Sequence, residues 1–562
     1  MTTFSYIIRR HYTRTPERVA VYLQIAGEDD RPITYRKLVE GANAYVQAYQ
    51  ARGIRPGDVV ILILQHGEDL LFAYWGAVLL GAIPSIMPFL TEKLSPERYK
   101  ADLTALIAVT KPAAMVTYPA FEDTLRAALR ADDSVRALLL SNEVAAPSPP
   151  DFAALPGLQR APEDIVLLQH SSGTTGLQKG VALSHRAVLN QLRAYREALG
   201  LDPAHDVIVS WLPLYHDMGL IASFLMPILE GVPLVLMSPF DWVRAPYKLF
   251  HAVARYQGTL SWMPNFAYTF CARKIRDRHI EGVDLSSWRA VINCSEPVRW
   301  ESHQAFHTRF KPYGLRLEAL QTSYAMAENT FAVTQSDLSR PPLVDVISKE
   351  GFLTQHTAQP PREGEDTVTM MSSGKPISNT RVRVLDKKGR DAPPRVIGEI
   401  AIQSDSMLTG YYNRPDLTQK AFRDGWYLTG DYGYFVGDEL FVVGRKKEMI
   451  IVGGKNIYPQ DIEALVYEVP GIHPGRAVAF GIYDERSGTE EVVVVAEANT
   501  DDEQTRQQLA DAVRQHVTQN APIALRFVKI VGAQWIIKTS SGKPARSANR
   551  EKYLAEQNQR AA

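Results

Sequence analysis

Apolar, β-branched runs alternate with helical patterns through the first three hundred residues of the chain. Two such runs, Ile165 to Leu168 and Val181 to Leu183, flank a polar, glycine-broken segment. The others are Val59 to Leu64, Ala114 to Thr117, Val135 to Leu140, Val207 to Trp211, Leu234 to Met237 and Ala290 to Cys294. This alternation is typical of helices layered on largely parallel sheets, so the sequence predicts an α/β fold.

The pattern changes twice further along the chain. Between Gly398 and Val443, short strands punctuated by Gly, Asp and Asn predict a smaller β-rich subdomain. After Gly444 to Lys447 a new α/β unit begins. Its predicted elements are a helix at 459–467, strands at 476–482 and 491–497, a helix at 502–519 and a strand at 526–530. We therefore expect a large N-terminal domain of two α/β sheet subdomains plus the β-rich subdomain (1–445), and a small, mobile C-terminal domain (446–562). The polar residues after Tyr553 are expected to be frayed.

Leu70 to Leu90 is an uncharged stretch long enough to suggest a membrane span. Gly76, Gly81, Pro84 and Pro88 interrupt it. The pattern favours a buried helix followed by a buried strand, without stable membrane insertion.

Composition narrows the class of partner. The chain has 562 residues with 62 basic and 62 acidic side chains, so its charge balance gives no reason to expect nucleic acid as a ligand. Cys271 and Cys294 are the two cysteines, which argues against a disulfide framework or a structural zinc. The N-terminus lacks the pattern of a secretory signal, and we expect a cytoplasmic protein.

The polar segment between the two flanking strands runs from His170 to Gly180. Its glycines permit positive φ and expose backbone N–H groups, its hydroxyls donate hydrogen bonds, and Lys179 adds a cation. These groups suit a nucleoside triphosphate, although a flexible Ser/Gly surface loop has the same composition. The segment is not a Walker loop, because an extended strand rather than a helix follows the lysine.

Further candidate groups follow in order. His216 lies in a turn after a predicted strand, where it either faces a pocket or caps the next helix. Tyr324 and Glu328 come near the end of another strand; an aromatic ring could cover a purine and a carboxylate could hold Mg²⁺. Asp431 and Arg445 offer an acceptor and a donor for ribose. Lys543 lies on a Gly/Ser loop near the C-terminus, which would otherwise be an ordinary solvated loop.

Taken together, these segments resemble the adenylate-forming ligases, the family of acyl-CoA synthetases, peptide-synthetase adenylation domains, luciferases and fatty acyl-AMP ligases. The resemblance covers nearly the whole chain. The matching segments are 171–180, 213–219, 324–328, 429–431, Arg445 with 453–456, and 541–543.

The resemblance implies a role for each position. Lys543 would bridge the substrate carboxylate and the α-phosphate, with Glu328 and His216 as further catalytic groups, Glu328 holding Mg²⁺ and Lys447 serving as the hinge of the C-terminal domain. The implied ATP- and AMP-binding residues are Ser171, Ser172, Gly173, Thr174, Thr175, Gly176, Lys179, Ser295, Glu296, Pro297, Thr322, Ser323, Tyr324, Ala325, Met326, Asp431 and Arg445.

The predicted substrate is a medium- or long-chain fatty acid. An amino-acid-activating relative would place an Asp in its pocket to meet the substrate ammonium. The corresponding stretch here is apolar and aromatic, and Trp262, Met263, Asn265 and Phe266 are its candidate pocket residues.

The fatty acyl-AMP ligase branch, which passes acyl groups to a carrier protein rather than to CoA, is the most similar. The chain between Glu328 and Gly374 is longer than expected for CoA-forming relatives, and Pro341 to Thr367 resembles that branch's extra segment, which restrains the C-terminal domain. A surface insertion without a functional role would have a similar composition. We therefore expect a holo-acyl carrier protein acting in trans.

Three alternatives stay open. Ala325 replaces a glycine common in the family, which bears only on local backbone freedom. The lysine-containing phosphate loop, Thr175 to Gly180, is usual in CoA synthetases. A fatty acyl-CoA synthetase is therefore the first alternative. An amino-acid-activating enzyme is a weaker alternative, because the pocket stretch carries no carboxylate. A non-catalytic acyl- or nucleotide-binding protein is also weaker, since Glu328, Asp431, Arg445 and Lys543 are all present.

Overall fold

The computed structural model describes residues 2–89, 96–130, 133–170, 179–452, 455–484, 489–521, 523, 525–539 and 542–561. Several predicted site residues lie outside these ranges: Ser171, Ser172, Gly173, Thr174, Thr175, Gly176, Gly453, Gly454 and Ser541.

The strands and helices alternate as the apolar pattern predicts. The strands are β1 Val19–Gln24, β2 Arg31–Thr34, β3 Val59–Ile63, β4 Ile83–Ile86, β5 Ala114–Thr117, β6 Ala137–Leu140, β7 Ile165–His170, β8 Gly180–Ser184, β9 Ile208–Ser210, β10 Leu234–Met237, β11 Leu260–Met263, β12 Ala290–Asn293, β13 Leu320–Ala325, β14 Ala332–Gln335, β15 Val344–Ser348, β16 Thr367–Met371, β17 Lys375–Pro376, β18 Thr380–Leu385, β19 Gly398–Ser404, β20 Gly410–Tyr411, β21 Phe422–Arg423, β22 Trp426–Val436, β23 Glu439–Arg445, β24 Ile450–Val452, β25 Lys455–Ile457, β26 Ile472–Asp484, β27 Thr489–Ala498 and β28 Phe527–Val531.

The α-helices are α1 Phe4–Arg14, α2 Tyr35–Ala51, α3 Glu68–Leu80, α4 Pro96–Thr110, α5 Glu122–Arg126, α6 His185–Leu199, α7 Met226–Glu230, α8 Pro239–Arg244, α9 Tyr247–Tyr256, α10 Asn265–Lys274, α11 Trp300–Phe310, α12 Pro415–Ala421, α13 Pro459–Glu468, α14 Glu503–Asn520 and α15 Arg546–Ala561. Two π-helices, Met218–Leu225 and Gly351–Gln355, follow β9 and β15.

The largest sheet has nine strands in the order β17-β14-β13-β12-β11-β9-β10-β1-β2. Its six inner strands, β13 to β1 in that order, are parallel, and the pairs β1–β2, β13–β14 and β14–β17 are antiparallel. Because the carboxyl ends of parallel strands meet at one edge, the segments after β9, β11, β12 and β13 converge there. These segments carry His216, Phe266, Ser295 and Glu328.

A second sheet, β4-β3-β5-β6, is parallel throughout. The uncharged stretch from Leu70 contributes α3 and β4, and both are buried. The predicted buried helix and strand are therefore confirmed. Among the described residues, no helix has the length and apolar character that a membrane crossing requires.

The β-rich subdomain is the sheet β18-β19-β22-β21, with β23 paired to β22. The C-terminal domain is the sheet β26-β27-β28 with α13 and α14, and its own apolar core includes Ile462, Val466, Val494 and Val513. The predicted fold class is confirmed, while the boundary between residues 445 and 446 stays a prediction.

The expectation of a frayed tail after Tyr553 is wrong. Helix α15 continues to Ala561. Tyr553 is buried and packs its ring 5.7 Å from that of Phe480. This contact anchors a segment rich in good helix formers, which local polarity alone did not reveal.

Candidate active site

Lys543 reaches from the C-terminal domain to the edge of the large sheet. Its Nζ donates a hydrogen bond to the main-chain carbonyl of Ser295, the second residue after β12. The lysine's own carbonyl accepts from the Thr539 amide at 2.7 Å, and Gly542 adopts φ +82° just before it. Glycine takes this left-handed conformation without steric cost, so the chain can turn just before the lysine.

The receiving segment has an unusual backbone. Ser295 has φ +67°, a conformation uncommon for residues with a side chain. Its neighbour Glu296 accepts from the Phe266 amide at 2.9 Å through Oε2. This contact ties the end of β12 to the start of α10. Backbone strain of this kind clusters at functional sites, where surrounding contacts maintain it.

His216 and Asp217 occupy the turn after β9. The His216 Nδ1 lies 3.2 Å from Oδ1 of Asp217, which also accepts from the Met218 amide at 2.8 Å. A Cβ at Gly219 would lie 2.2 Å from the Pro213 carbonyl oxygen, so this turn requires glycine. Burial alone would raise the pKa of Asp217, but the hydrogen bonds from His216 and Met218 and the nearby charge of Lys543 lower it. Asp217 was not singled out from the sequence, although it lies within the matching 213–219 segment.

Tyr324, Asp431 and Arg445 form one connected group. The Tyr324 hydroxyl donates to Oδ2 of Asp431 at 2.6 Å, and the Arg445 Nε lies 3.4 Å from Oδ1. Asp431 and Arg445 are directly opposite each other on the antiparallel pair β22–β23. Burial raises the pKa of the Asp431 carboxyl, and the Arg445 charge opposes that rise. The structure thus joins three residues that sequence order separates widely.

Glu328 and Lys179 both contact the same aromatic residue, Tyr411, which the sequence did not indicate. Its Oε1 accepts from the Tyr411 hydroxyl at 2.8 Å, and the Lys179 Nζ lies 4.7 Å from the centre of the Tyr411 ring. Burial lowers the pKa of Lys179, Glu328 opposes this, and the charge of Lys447 adds to it. Mg²⁺ takes carboxylate oxygens together with substrate phosphates, so Glu328 is of the donor type that the predicted magnesium site requires.

Other predicted nucleotide-site residues lie at and after the end of β13 and in the segment after β12. The hydroxyls of Thr322 and Ser323 are buried and donate to the carbonyls of Ser372 and Thr334, each at 2.7 Å. Ala325 and Met326 are half-buried at the end of β13, and Pro297 is exposed. The hydroxyl protons of Thr322 and Ser323 are thus used within the fold.

The predicted acyl-pocket residues separate into two groups. Trp262 and Met263 are buried in the core, and the Trp262 indole donates to the Tyr195 hydroxyl at 2.8 Å. Asn265 accepts from the Asn293 amide group at 3.0 Å. In contrast, Phe266 is 45% exposed.

Two tryptophans that the sequence did not indicate lie beneath Phe266. The rings of Trp211 and Trp242 stack with centroids 3.5 Å apart, and the Phe266 ring meets both edge-on. They belong to segments after two different strands, β9 and β10. The arrangement makes an aromatic floor at the same sheet edge as Ser295.

The family model for AMP-binding enzymes matches residues 8–412 of the chain. The chain belongs to the AMP-binding enzyme family. The match confirms the resemblance to adenylate-forming ligases, and with it the prediction of an acyl-adenylate-forming enzyme.

The names of similar proteins include two different acyl acceptors, CoA and an acyl carrier protein. The medium-chain-fatty-acid–[acyl-carrier-protein] ligase JamA of Moorena producens is 30% identical, over 97% of this chain and 94% of its own. A protein of Caulobacter vibrioides, provisionally assigned as an acyl-CoA synthetase, is 31% identical over 94% of this chain and 92% of its own. A solved structure from a study of fatty acyl-adenylate ligases of E. coli and L. pneumophila superposes with a TM-score of 0.88 at 27% identity, covering 99% of both chains.

Proposed function

We propose that this AMP-binding enzyme adenylates a medium- or long-chain fatty acid with ATP and Mg²⁺. It then transfers the acyl group to the phosphopantetheine thiol of an acyl carrier protein in trans, and AMP leaves. The observation that carries the proposal is the contact of Lys543 with Ser295, beside Asp217. It brings a cation from a separate domain to the convergent edge of the large sheet. The two cysteines are free and buried, which suits a reducing cytoplasm.

In the proposed first step, a carboxylate oxygen of the acid attacks the α-phosphorus of ATP and pyrophosphate leaves. Lys543 would lie between the carboxylate and the α-phosphate and offset the charge of both. Bringing two anions together is opposed by repulsion, so positioning and electrostatic stabilisation supply most of the acceleration. His216 lies next to this position and would orient the carboxylate end of the substrate, while Asp217 would hold the imidazole ring through its Nδ1.

The nucleotide would extend from Lys543 toward two groups of residues. Lys179 and the loop before it would hold the β- and γ-phosphates. Glu328 would hold Mg²⁺, which neutralises phosphate charge when bound; of its two carboxylate oxygens, Oε1 has the Tyr411 hydroxyl as partner. Asp431 and Arg445 would bind the ribose hydroxyls, and Tyr324 would lie near the adenine.

The acyl chain would run along the aromatic floor. Phe266 is exposed above the buried Trp211 and Trp242, so an apolar chain placed against its ring would gain buried contact. The apolar surface supports a fatty acid over an amino acid. The fatty-acid ligase names of the relatives are in keeping with this assignment.

The extra segment at 341–367 supports a carrier protein as the acceptor. The Phe352 ring lies 5.5 Å from that of Tyr458 in the C-terminal domain. The Leu353 carbonyl accepts from the Asn456 side chain at 3.3 Å, and the Lys349 Nζ donates to the Asn520 carbonyl at 3.2 Å. Three contacts from one segment would restrain the C-terminal domain, as expected for the branch that does not favour CoA.

An acyl-CoA synthetase is the second candidate. It is favoured by Lys179 in the phosphate loop and by the Caulobacter vibrioides relative. The two candidates share the first step and differ in the thiol that accepts the acyl group.

One experiment tests both steps. The purified chain is incubated with ATP, Mg²⁺ and a panel of fatty acids, and pyrophosphate release is followed with CoA or with a holo-acyl carrier protein as acceptor. We expect acid-dependent pyrophosphate release and acyl-carrier formation. Lys543→Ala should slow pyrophosphate release by about 10²- to 10³-fold. Lys552→Ala, whose Nζ donates to the Trp535 carbonyl in the same domain, is the matched control and should leave it unchanged. Efficient acyl-CoA formation would overturn the acceptor, and full activity of Lys543→Ala would overturn the adenylation proposal.

A further inference from the structure

A buried cluster of three charged side chains lies between the Lys543 loop and the segment that follows Lys447. The Arg546 guanidinium bonds both oxygens of Glu463, with Nη2 at 2.7 Å from Oε2 and Nε at 3.1 Å from Oε1. Its Nη1 also bonds Glu448. The side chains of Arg546, Glu448 and Glu463 are 18%, 14% and 8% exposed, so solvent screens these contacts only weakly.

Each member of the cluster belongs to a different element. Glu448 follows the predicted hinge residue Lys447 directly, and its amide donates to the Arg445 carbonyl at 3.2 Å. Glu463 lies on α13, and its Oε1 also accepts from the Ala479 amide of β26 at 3.0 Å. Arg546 begins α15, three residues after Lys543. The guanidinium therefore connects the lysine loop, the post-hinge turn and the core of the C-terminal domain.

The charges of the cluster depend on one another. Burial would lower the pKa of Arg546, but the two carboxylates raise it. Burial raises the pKa of Glu463, and Arg546 opposes that rise. One guanidinium between two carboxylates leaves a net negative charge, so the arginine holds together two groups that would otherwise repel each other.

We propose that Arg546 is a positioning residue that fixes the Lys543 loop relative to the hinge, so that the lysine meets its target when the C-terminal domain closes. This inference rests on the adenylation role proposed for Lys543. The side chain of lysine is flexible but has only a four-carbon stem. The position of the Lys543 backbone therefore decides whether Nζ reaches the carbonyl of Ser295. The bidentate fork of Arg546 fixes that backbone from three residues away.

A general role in domain stability is the competing explanation, and a matched variant separates the two. Arg476 pairs with Glu497 at 2.7 Å in the same domain, with exposures of 22% and 2%. Arg476→Gln removes a comparably buried ion pair that contacts neither Lys543 nor Glu448. Differences between Arg546→Gln and Arg476→Gln therefore report on position rather than on the loss of a buried pair.

The experiment measures the two half-reactions of the full chain separately. The first is fatty-acid-dependent pyrophosphate release, with kcat and KM determined for ATP and for the acid. The second is transfer from supplied acyl-adenylate to the thiol acceptor. We expect Arg546→Gln to lower kcat of the first by about 10²-fold, the cost of a misplaced catalytic group. Both KM values and the second half-reaction should change by less than about threefold.

Milder variants keep the test informative if Arg546→Gln folds poorly. Arg546→Lys keeps the charge but not the bidentate fork, and Glu448→Gln keeps the shape of its side chain. Both should give intermediate losses confined to pyrophosphate release. The inference is overturned if Arg546→Lys and Glu448→Gln leave kcat unchanged, if both half-reactions slow equally, or if Arg476→Gln causes the same selective loss. Lys543→Ala distinguishes the two proposals: a loss there without one at Arg546 rejects only the positioning role, whereas unchanged adenylation in Lys543→Ala rejects the proposed function itself.

Discussion

Replacing Phe352 with alanine should increase the use of CoA relative to a carrier protein. Phe352 lies in the extra segment at 341–367, is 3% exposed and contacts Tyr458 of the C-terminal domain. An aromatic pair contributes about 0.5 to 1.5 kcal/mol beyond its buried area. The neighbouring hydrogen bond from Asn456 to the Leu353 carbonyl adds about 0.5 to 1.5 kcal/mol. The segment therefore holds the domain by about 1 to 3 kcal/mol, or about 5- to 150-fold in a conformational equilibrium.

The alanine variant removes the aromatic share of this restraint. A loss of about 0.5 to 1.5 kcal/mol corresponds to about a 2- to 10-fold change in population. If closure of the segment on the domain limits access of CoA, acyl-CoA formation should rise by that factor. The rates are measured with CoA and with holo-carrier protein at the same acid and ATP concentrations, and the ratio of the two is the quantity to compare.

Two controls separate this effect from general loosening. Val346 lies on the same segment and is 46% exposed, so Val346→Ala should leave the CoA-to-carrier ratio unchanged. Phe352→Ala also loses core packing, at a cost of about 3 to 5 kcal/mol, so Phe352→Leu provides a variant that keeps most of the apolar volume without the ring. An unchanged ratio in both Phe352 variants, or an equal rise in Val346→Ala, would refute the reasoning.

Three further predictions follow from the site and the core. Glu328→Gln should raise the Mg²⁺ concentration needed for half-maximal pyrophosphate release by at least about tenfold, and an unchanged Mg²⁺ titration would contradict the metal assignment. Asp431→Asn should raise KM for ATP about tenfold or more, because a charged acceptor is lost, while KM for the fatty acid stays constant; equal changes in both would argue against ribose binding. Burial lowers the pKa of His303 to about 3, so the unfolded chain takes up this proton first as pH falls below about 6.5. Stability should then decline by up to about 1.4 kcal/mol per pH unit for this group, and His303→Gln should reduce the fall of the urea midpoint between pH 7 and 5 without abolishing it, because burial also lowers the pKa values of His66, His170 and His185 to about 4. An unchanged fall would contradict this reasoning.

The local pattern of apolar residues predicted the positions of the strands well, and with them the candidate site residues that follow the strands. The predicted strands at Ala114–Thr117 and Leu234–Met237 match the structure residue for residue, because short apolar runs bounded by glycine or proline leave little choice of end point. The convergence of His216, Ser295 and Glu328 at one edge also follows from parallel strand order. The strands depend on periodicity, which a sequence displays directly, and the shared edge follows once the strands are taken as parallel.

Contacts between distant segments had no such signal. Tyr411 meets Glu328 because the two-residue strand β20 pairs with β8, more than two hundred positions earlier in the chain. Trp211 and Trp242 stack across two strands, and nothing in either local sequence indicates the other. Register between remote strands is fixed by the packing of the whole sheet rather than by neighbouring residues.

Residues from both domains contribute to the candidate site, and the contacts that join the two domains differ from those inside the C-terminal domain. Besides Lys543, Arg299 spans the interface, donating to the Gln460 carbonyl at 3.0 Å and to Asp461 at 2.9 Å. The paired side chains of Arg299 and Asp461 are 32% and 49% exposed, and an ion pair so exposed contributes only about 0 to 1 kcal/mol. The proposed two-step reaction needs such weakness, since the domain that delivers Lys543 must also leave for a thiol to reach the acyl-adenylate. The contacts of Arg546 lie within the C-terminal domain and can keep the lysine loop in place through that movement, whereas the exposed pair of Arg299 and Asp461 lies across the interface and can separate.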